Sequence, residues 1–162
     1  HKTLVRTTLV DSELAEAITD LLALDSGGRL FRYERDGELV PLTGAVLNEY
    51  VQEHLGDDFS SKDFRAWGGT LTAAIALAEA KRVVANVMRT VGERLGNTAA
   101  VARSSYVSPA VIDQYLDGRT IEDFRPRHLR IVSARDIGLD PEEQAVVSLL
   151  RSWRIREGLK AA

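Results

Sequence analysis

Apolar residues recur at steps of three and four along residues 61–80, and this spacing predicts an amphipathic helix. The same spacing predicts helices over residues 12–24, 42–55 and 81–95, with Gly96 ending the last of them. A further helix start is predicted at Asp140-Pro141-Glu142-Glu143, which combines a cap residue, a first-turn proline and a reciprocal glutamate. The sequence therefore predicts a mainly α fold, a single compact helical domain.

Extended structure is predicted only near the amino terminus. Residues 3–10 are rich in β-branched side chains and predict a strand, and residues 30–40 predict extended chain around a turn at 35–38. A strand that opens the chain with no neighbour nearby predicts a pairing partner upstream. The sequence begins with His1, and its only methionine is Met88. We expect the 162 residues to be a fragment that lacks an amino-terminal half.

Composition restricts the possible chemistry. The chain is 44% apolar and 28% charged, which is typical of a globular domain. Because it has no cysteine, disulfides and thiol chemistry are excluded, and three scattered histidines make a zinc site improbable. No apolar run reaches the roughly 18 residues that a membrane span needs. We expect a cytoplasmic monomer without membrane contact, metal or other cofactor.

The net charge of −3 is an average over unlike segments. Residues 1–80 carry 7 basic and 14 acidic side chains, a net charge of −7. Residues 81–135 carry 10 basic and 5 acidic side chains, a net charge of +5, and residues 136–162 have a net charge of −1. Because binding to a polyanion depends on the local field, the basic segment is compatible with a nucleic-acid surface. A solvated basic face is an equal alternative.

Tyr106 lies within the basic segment among small polar residues, three residues after Arg103 and two before a helix start at Ser108-Pro109. A tyrosine hydroxyl becomes a useful nucleophile when cations and fixed dipoles stabilise its anion and the group under attack. The amide groups of the helix start and the Arg103 guanidinium are candidates for that task. The alternative is a tyrosine packed at a corner between helices, with its hydroxyl bonded to a carbonyl.

Three segments together resemble the C-terminal catalytic region of type IB DNA topoisomerases of the bacterial kind. They are Lys62-Asp63-Phe64-Arg65-Ala66-Trp67-Gly68-Gly69-Thr70, Leu95-Gly96-Asn97-Thr98 and Ser105-Tyr106-Val107-Ser108-Pro109-Ala110-Val111-Ile112. Their order and spacing agree with the family over nearly the whole chain, and the first and last segments are the most specific. The resemblance implies that residues 1–162 are a catalytic domain fragment that acts on double-stranded DNA at the nucleoid.

The resemblance also implies roles for particular residues. Tyr106 would form a covalent bond to a 3′ phosphate and release a 5′ hydroxyl, without metal or nucleotide. Arg65 would hold the non-bridging phosphate oxygens, and Asn97 stands where the family has a histidine or asparagine on the same phosphate. Lys62 would contact the DNA backbone. From the residues alone, Arg103 is added as a DNA-binding side chain.

Two catalytic side chains of the family have no counterpart assigned in this sequence. One is an arginine well upstream, and the other is a lysine on a β-hairpin that protonates the leaving oxygen; Lys2 lacks that hairpin context and is not assigned. Ser108 replaces a histidine found in many relatives, and serine suits a helix cap. Geometry adds a condition: on one straight helix, the nine residues from Asn97 to Tyr106 would span roughly 13 Å. The chain must therefore bend between them, or Tyr106 must move.

Two other functions remain open at this stage. A tyrosine recombinase would share the nucleophile, but the Lys-Asp-Phe that precedes Arg65 differs from the histidine pattern expected there. A non-catalytic helical DNA-binding module would need only the basic segment and would be indifferent to Tyr106.

Overall fold

The computed structural model describes residues 8–24, 28–79, 83–125 and 138–160. They divide into two compact units, His1–Asp63 and Phe64–Ala162. The elements in chain order are α1 (Ser12–Ala23), β1 (Arg32–Arg35), β2 (Glu38–Pro41), α2 (Gly44–Leu55), α3 (Ser61–Ala78), α4 (Val84–Leu95), α5 (Ala99–Ser105), α6 (Pro109–Leu116), a 3₁₀ helix (Ile121–Phe124) and α7 (Pro141–Lys160). The predicted mainly α fold is confirmed.

The extended structure of the first unit is a two-stranded hairpin. Strands β1 and β2 pair antiparallel, with Arg32 opposite Pro41 and Arg35 opposite Glu38. Asp36 and Gly37 connect them with φ angles of 54° and 82°, the backbone that a two-residue hairpin turn requires. The predicted turn at 35–38 is confirmed. Of the strand predicted over residues 3–10, residues 3–7 lie outside the described chain, and residues 8–10 are not in a strand.

Helix α1 does not bury the stripe that its periodicity predicts, which consists of Leu14, Ala17, Ile18, Leu21 and Leu22. The sequence predicts Ser12 as the cap of this helix, but the cap is Asp11, whose carboxylate accepts from the Leu14 amide at 2.9 Å. None of its residues is buried, and Leu14 and Leu22 are 43% and 66% exposed. The predicted buried stripe is therefore wrong, because an amphipathic pattern specifies an apolar face but not what covers it. Within the described part of the first unit, Val51 of α2 is the only buried residue.

The Asp63 carboxylate in the first turn of helix α3 binds the residue that precedes the helix. The Asp63 carboxylate accepts hydrogen bonds from the Ser60 amide at 2.8 Å and from the Ser60 hydroxyl at 2.9 Å. These bonds stabilise the ionised carboxylate, so the pKa of Asp63 is lowered from its ordinary value. The predicted helix start at Ser60 or Ser61 is confirmed.

The periodicity of α3 predicts a core face of Phe64, Trp67, Leu71, Ile75 and Ala78, and all of these except Phe64 pack against the core. Phe64 is 58% exposed, and Trp67, Leu71, Ile75 and Ala78 are only partly buried. The fully buried positions of the helix are Gly69, Thr70, Ala73, Ala74, Ala76 and Leu77. Small side chains bring the backbone of α3 close to its neighbours, so close approach rather than side-chain size decides which face is inside.

The second unit has an apolar core to which α3, α4, α5, α6 and α7 contribute. Its largest fully buried side chains include Ile121, Leu149, Val87, Val91 and Val146. The spacing along α4 predicts five buried residues; Val87, Met88 and Val91 are buried, whereas Val84 and Leu95 are partly buried.

Helix α7 begins at the predicted cap. The Glu143 amide donates to the Asp140 carboxylate at 2.7 Å, and the Glu143 carboxylate accepts from the Asp140 amide at 3.1 Å. The other carboxylate oxygen of Glu143 accepts from the Trp67 indole at 3.1 Å, which joins the start of α7 to α3. In the described ranges, no helix combines the length and apolar content needed to cross a bilayer.

Candidate active site

Arg65 and Tyr106 are in contact, although 41 positions separate them in the sequence. The Arg65 guanidinium carbon lies 5.1 Å from the centre of the Tyr106 ring, within the range of a cation–π interaction. Arg65 is exposed on α3, and Tyr106, partly buried, follows the last residue of α5. In the described part of the chain the Tyr106 hydroxyl has no hydrogen-bond partner, so the alternative of a hydroxyl bonded to a carbonyl is not observed.

Asn97 joins this pair through a backbone oxygen. The Leu95 carbonyl accepts from Arg65 Nη2 at 2.6 Å and from Asn97 Nδ2 at 2.9 Å. It stands at the carboxyl end of α4, where carbonyls lack partners within the helix and carry partial negative charge. Two donors therefore converge on one oxygen beside the Tyr106 ring. Arg65 thus contacts the Tyr106 ring directly and shares the Leu95 carbonyl with Asn97.

The end of α4 fixes the position of Asn97. Gly96 adopts a left-handed backbone (φ 67°), and its amide donates to the Glu93 carbonyl at 3.2 Å. The Asn97 amide donates to the Gly92 carbonyl at 2.7 Å, which completes the paired bonds of a Schellman motif. Gly92 is required for this return of the chain, because a β-carbon there would lie 2.8 Å from the Asn97 carbonyl oxygen. Sequence reasoning predicted Gly96 as the helix end but missed Gly92.

Asn97 and Tyr106 lie on either side of the short helix α5. Asn97 lies before α5, whose cap is Thr98, with the Thr98 hydroxyl accepting from the Val101 amide at 3.2 Å. Tyr106 ends the same short helix, with its amide donating to the Ala102 carbonyl at 3.0 Å. The Arg65 side chain reaches both Leu95, at the carboxyl end of α4, and Tyr106, at the carboxyl end of α5.

The backbone at Tyr106 rests on α3. A β-carbon at Gly69 would lie 2.6 Å from the Tyr106 carbonyl oxygen and 3.1 Å from the Tyr106 β-carbon. Two adjacent glycines inside α3 predict close packing against another helix or a ligand backbone, and the structure confirms close packing at Gly69. Gly68 is different, since a β-carbon there would meet no atom within 4 Å.

The helix start after Tyr106 offers fewer unpaired amides than predicted. The Ser108 amide donates to the Thr70 hydroxyl at 3.0 Å, and the Val111 amide donates to the Ser108 carbonyl at 3.1 Å. Pro109 has no amide hydrogen. The expectation that these groups point toward an anion is therefore wrong for Ser108 and Val111. The backbone angles place Ser108 at the predicted cap position, but its side chain makes no capping bond.

The two predicted DNA-binding cations are exposed. Arg103 is in the last turn of α5, and Lys62 is in the first turn of α3, within the first unit. Among the described residues, neither Arg103 nor Arg94 forms a salt bridge. Arg125, in contrast, pairs with Glu122 at 3.0 Å and with Glu142 at 3.4 Å. Of the basic segment, residues 81–82 and 126–135 lie outside the described chain.

No metal centre is apparent near these groups. In the ranges that the structure describes, no three His, Asp or Glu side chains are grouped to bind an ion. The arrangement consists of cationic and amide donors around a phenol. Such donors can stabilise negative charge on a reacting group, which is the task of an oxyanion-type site. That the site works without a metal stays a prediction.

A viral protein shares sequence similarity with this chain. DNA topoisomerase 1B of Acanthamoeba polyphaga mimivirus is 31% identical over 117 residues, which are 62% of this chain and 34% of the viral protein. This similarity supports a relationship to type IB topoisomerases. No protein-family model matches the sequence. The chain spans about a third of the viral relative's length. The more specific resemblance to the bacterial kind, and the roles of the individual residues, stay predictions.

Proposed function

We propose that this chain carries the nucleophile and the phosphate-binding groups of a type IB DNA topoisomerase. The Tyr106 hydroxyl oxygen attacks a backbone phosphorus of double-stranded DNA and loses its proton to solvent. The bond from phosphorus to the 5′ oxygen breaks, and the released strand takes up a proton as a 5′ hydroxyl. The 3′ phosphate remains on Tyr106 until the 5′ hydroxyl attacks it and reverses the reaction.

One observation carries this proposal: Arg65 touches the Tyr106 ring and shares an oxygen acceptor with Asn97. An acceptor oxygen already lies between the two donors, and a non-bridging phosphate oxygen has the same hydrogen-bonding preference with a full negative charge. A phosphate that takes over these donors from the Leu95 carbonyl would lie beside the nucleophile. The viral relative's name supports DNA as the substrate.

None of the described site residues is assigned as the acid that protonates the departing 5′ oxygen. The family resemblance implies a lysine for that step and a second arginine, and we propose that an amino-terminal half of the protein supplies both. Groups that act together on phosphoryl transfer are strongly non-additive, so we expect little plasmid relaxation by this chain alone. Relaxation assays with and without that half test this part of the proposal, and full activity of the chain alone would contradict it.

Cleavage itself can be tested without the missing acid. In a duplex with sulfur in place of one bridging 5′ oxygen, the leaving group is a thiolate, which departs without a proton because thiols are far more acidic than alcohols. We expect the natural chain to form a covalent DNA adduct, visible as a shifted band after denaturing electrophoresis. The Tyr106→Phe variant should form none, because it lacks the attacking oxygen.

Tyr115 provides the matched control. It is also partly buried in the second unit, but its ring packs against the apolar core. Tyr115→Phe should form the adduct at the rate of the natural chain. A non-catalytic DNA-binding module would form no adduct with any variant, and an adduct that persists in Tyr106→Phe would exclude Tyr106 as the nucleophile.

A further inference from the structure

Thr70 of helix α3 forms hydrogen bonds to both sides of the turn that contains Tyr106. Its hydroxyl donates to the Tyr106 carbonyl at 3.3 Å and accepts from the Ser108 amide at 3.0 Å. The residue is 5% exposed, so water does not readily replace these bonds. One hydroxyl thus joins the carbonyl of the candidate nucleophile to the amide two residues later.

The neighbouring position on α3 sets how closely this turn approaches. With a side chain larger than hydrogen at Gly69, the Tyr106 carbonyl would be displaced from Thr70. Arg65, four positions before Gly69, lies on the same face of the helix and reaches the Tyr106 ring. A single helix face therefore contacts both the backbone and the ring of Tyr106.

We infer that Thr70 is a positioning residue for Tyr106: its hydroxyl holds the turn at Tyr106–Ser108 in the orientation that puts the phenol beside Arg65. This inference rests on the proposed function, because orientation matters only if Tyr106 is the nucleophile. Alignment of an attacking oxygen with the phosphorus governs the rate of the chemical step. It has little effect on DNA affinity, which depends on phosphate contacts elsewhere.

The test compares three threonine variants in the sulfur-substituted duplex assay. Thr70→Val keeps the branched shape and removes the hydroxyl, whereas Thr70→Ser keeps the hydroxyl. Thr72→Val is the control, because the Thr72 hydroxyl donates only within α3, to the Gly68 carbonyl at 2.7 Å. The readouts are the adduct rate constant at saturating DNA and the Kd for DNA, measured separately, with circular dichroism to verify folding.

We expect Thr70→Val to lower the saturated adduct rate by about tenfold to a hundredfold, the size of a misplacement effect, with an unchanged Kd. Thr70→Ser should recover most of the rate, and Thr72→Val should match the natural chain. The inference is overturned if Thr70→Val reacts within twofold of Thr72→Val, or if Thr70→Ser is as slow as Thr70→Val while folded. If the natural chain forms no Tyr106-dependent adduct, the proposed function fails first, and the positioning role fails with it.

Discussion

The Arg65 guanidinium lies over the ring of Tyr106, 5.1 Å from its centre, and donates to the Leu95 carbonyl at 2.6 Å. An exposed arginine that reaches two elements distant in sequence is held in one place before any ligand arrives. Preorganised donors stabilise developing charge without the cost of reorientation during the reaction. The central claim is that this guanidinium serves a phosphate attacked by Tyr106.

Removing the Arg65 guanidinium should affect reaction much more than stability. Arg65→Ala loses one exposed hydrogen bond, so the free energy of unfolding should fall by about 1 kcal/mol. The adduct rate should fall by about 10²–10³-fold, as for the loss of one donor in an oxyanion-type site. The adduct rate of Arg65→Lys should lie between those of Arg65→Ala and the natural chain, since lysine keeps the charge but loses the planar fork of donors. Urea unfolding and the adduct assay measure both effects, and equal rates for Arg65→Ala and the natural chain would contradict the account.

Asn97 should be replaceable by another donor but not by an acceptor. Its amide nitrogen points at the Leu95 carbonyl, 2.9 Å away. Asn97→Asp replaces this donor with a negative charge that repels both the carbonyl and a phosphate, so the adduct rate should fall by at least about 10²-fold. Asn97→His keeps a ring nitrogen donor and should retain more activity than Asn97→Asp. The reverse order in the adduct assay would exclude a donor role for Asn97.

Two adjacent glycines should respond in opposite ways to the same change. Gly68→Ala adds a methyl group in open space and should raise the free energy of unfolding by about 0.5–1 kcal/mol, because alanine favours the helix. Gly69→Ala forces the Tyr106 carbonyl away from α3. Overpacking of this kind should lower the free energy of unfolding by about 1–3 kcal/mol. Urea unfolding of the two variants decides the point. A stabilised Gly69→Ala chain would mean that α3 and the Tyr106 turn are not in close contact.

Arg103 should contribute to the salt dependence of DNA binding. It forms no salt bridge within the described residues, whereas Arg125 is paired with Glu122 and Glu142. The slope of log K against log salt concentration is negative, and Arg103→Ala should make it shallower by about 1, the effect of one lost phosphate contact. Arg125→Ala should change the slope less. Fluorescence anisotropy over a range of salt concentrations measures this slope. An unchanged slope for Arg103→Ala would show that Arg103 does not contact a DNA phosphate.

The sequence specified the helices more successfully than the contacts between them. The predicted start of α7 is correct because its capping bonds, between Asp140 and Glu143, are local. The predicted core face of α3 is wrong only at Phe64, which is exposed, since Trp67, Leu71, Ile75 and Ala78 pack against the core. Periodicity could not show that Gly69 and the alanines are buried as well, because the burial of small residues depends on how closely neighbouring elements approach. The site residues were selected by resemblance. The Leu95 carbonyl that Arg65 and Asn97 share could not be predicted, since it depends on how α3 packs against the end of α4.

Mapping the attachment point of the DNA adduct tests the central claim most directly. Tryptic digestion of the adduct, followed by nuclease treatment and mass spectrometry, should find the nucleotide on the peptide that spans residues 104–119. That peptide contains both Tyr106 and Tyr115. The account predicts fragment ions with a 3′-linked nucleotide on Tyr106. Attachment to Tyr115, to another residue or through a 5′ phosphate would contradict it.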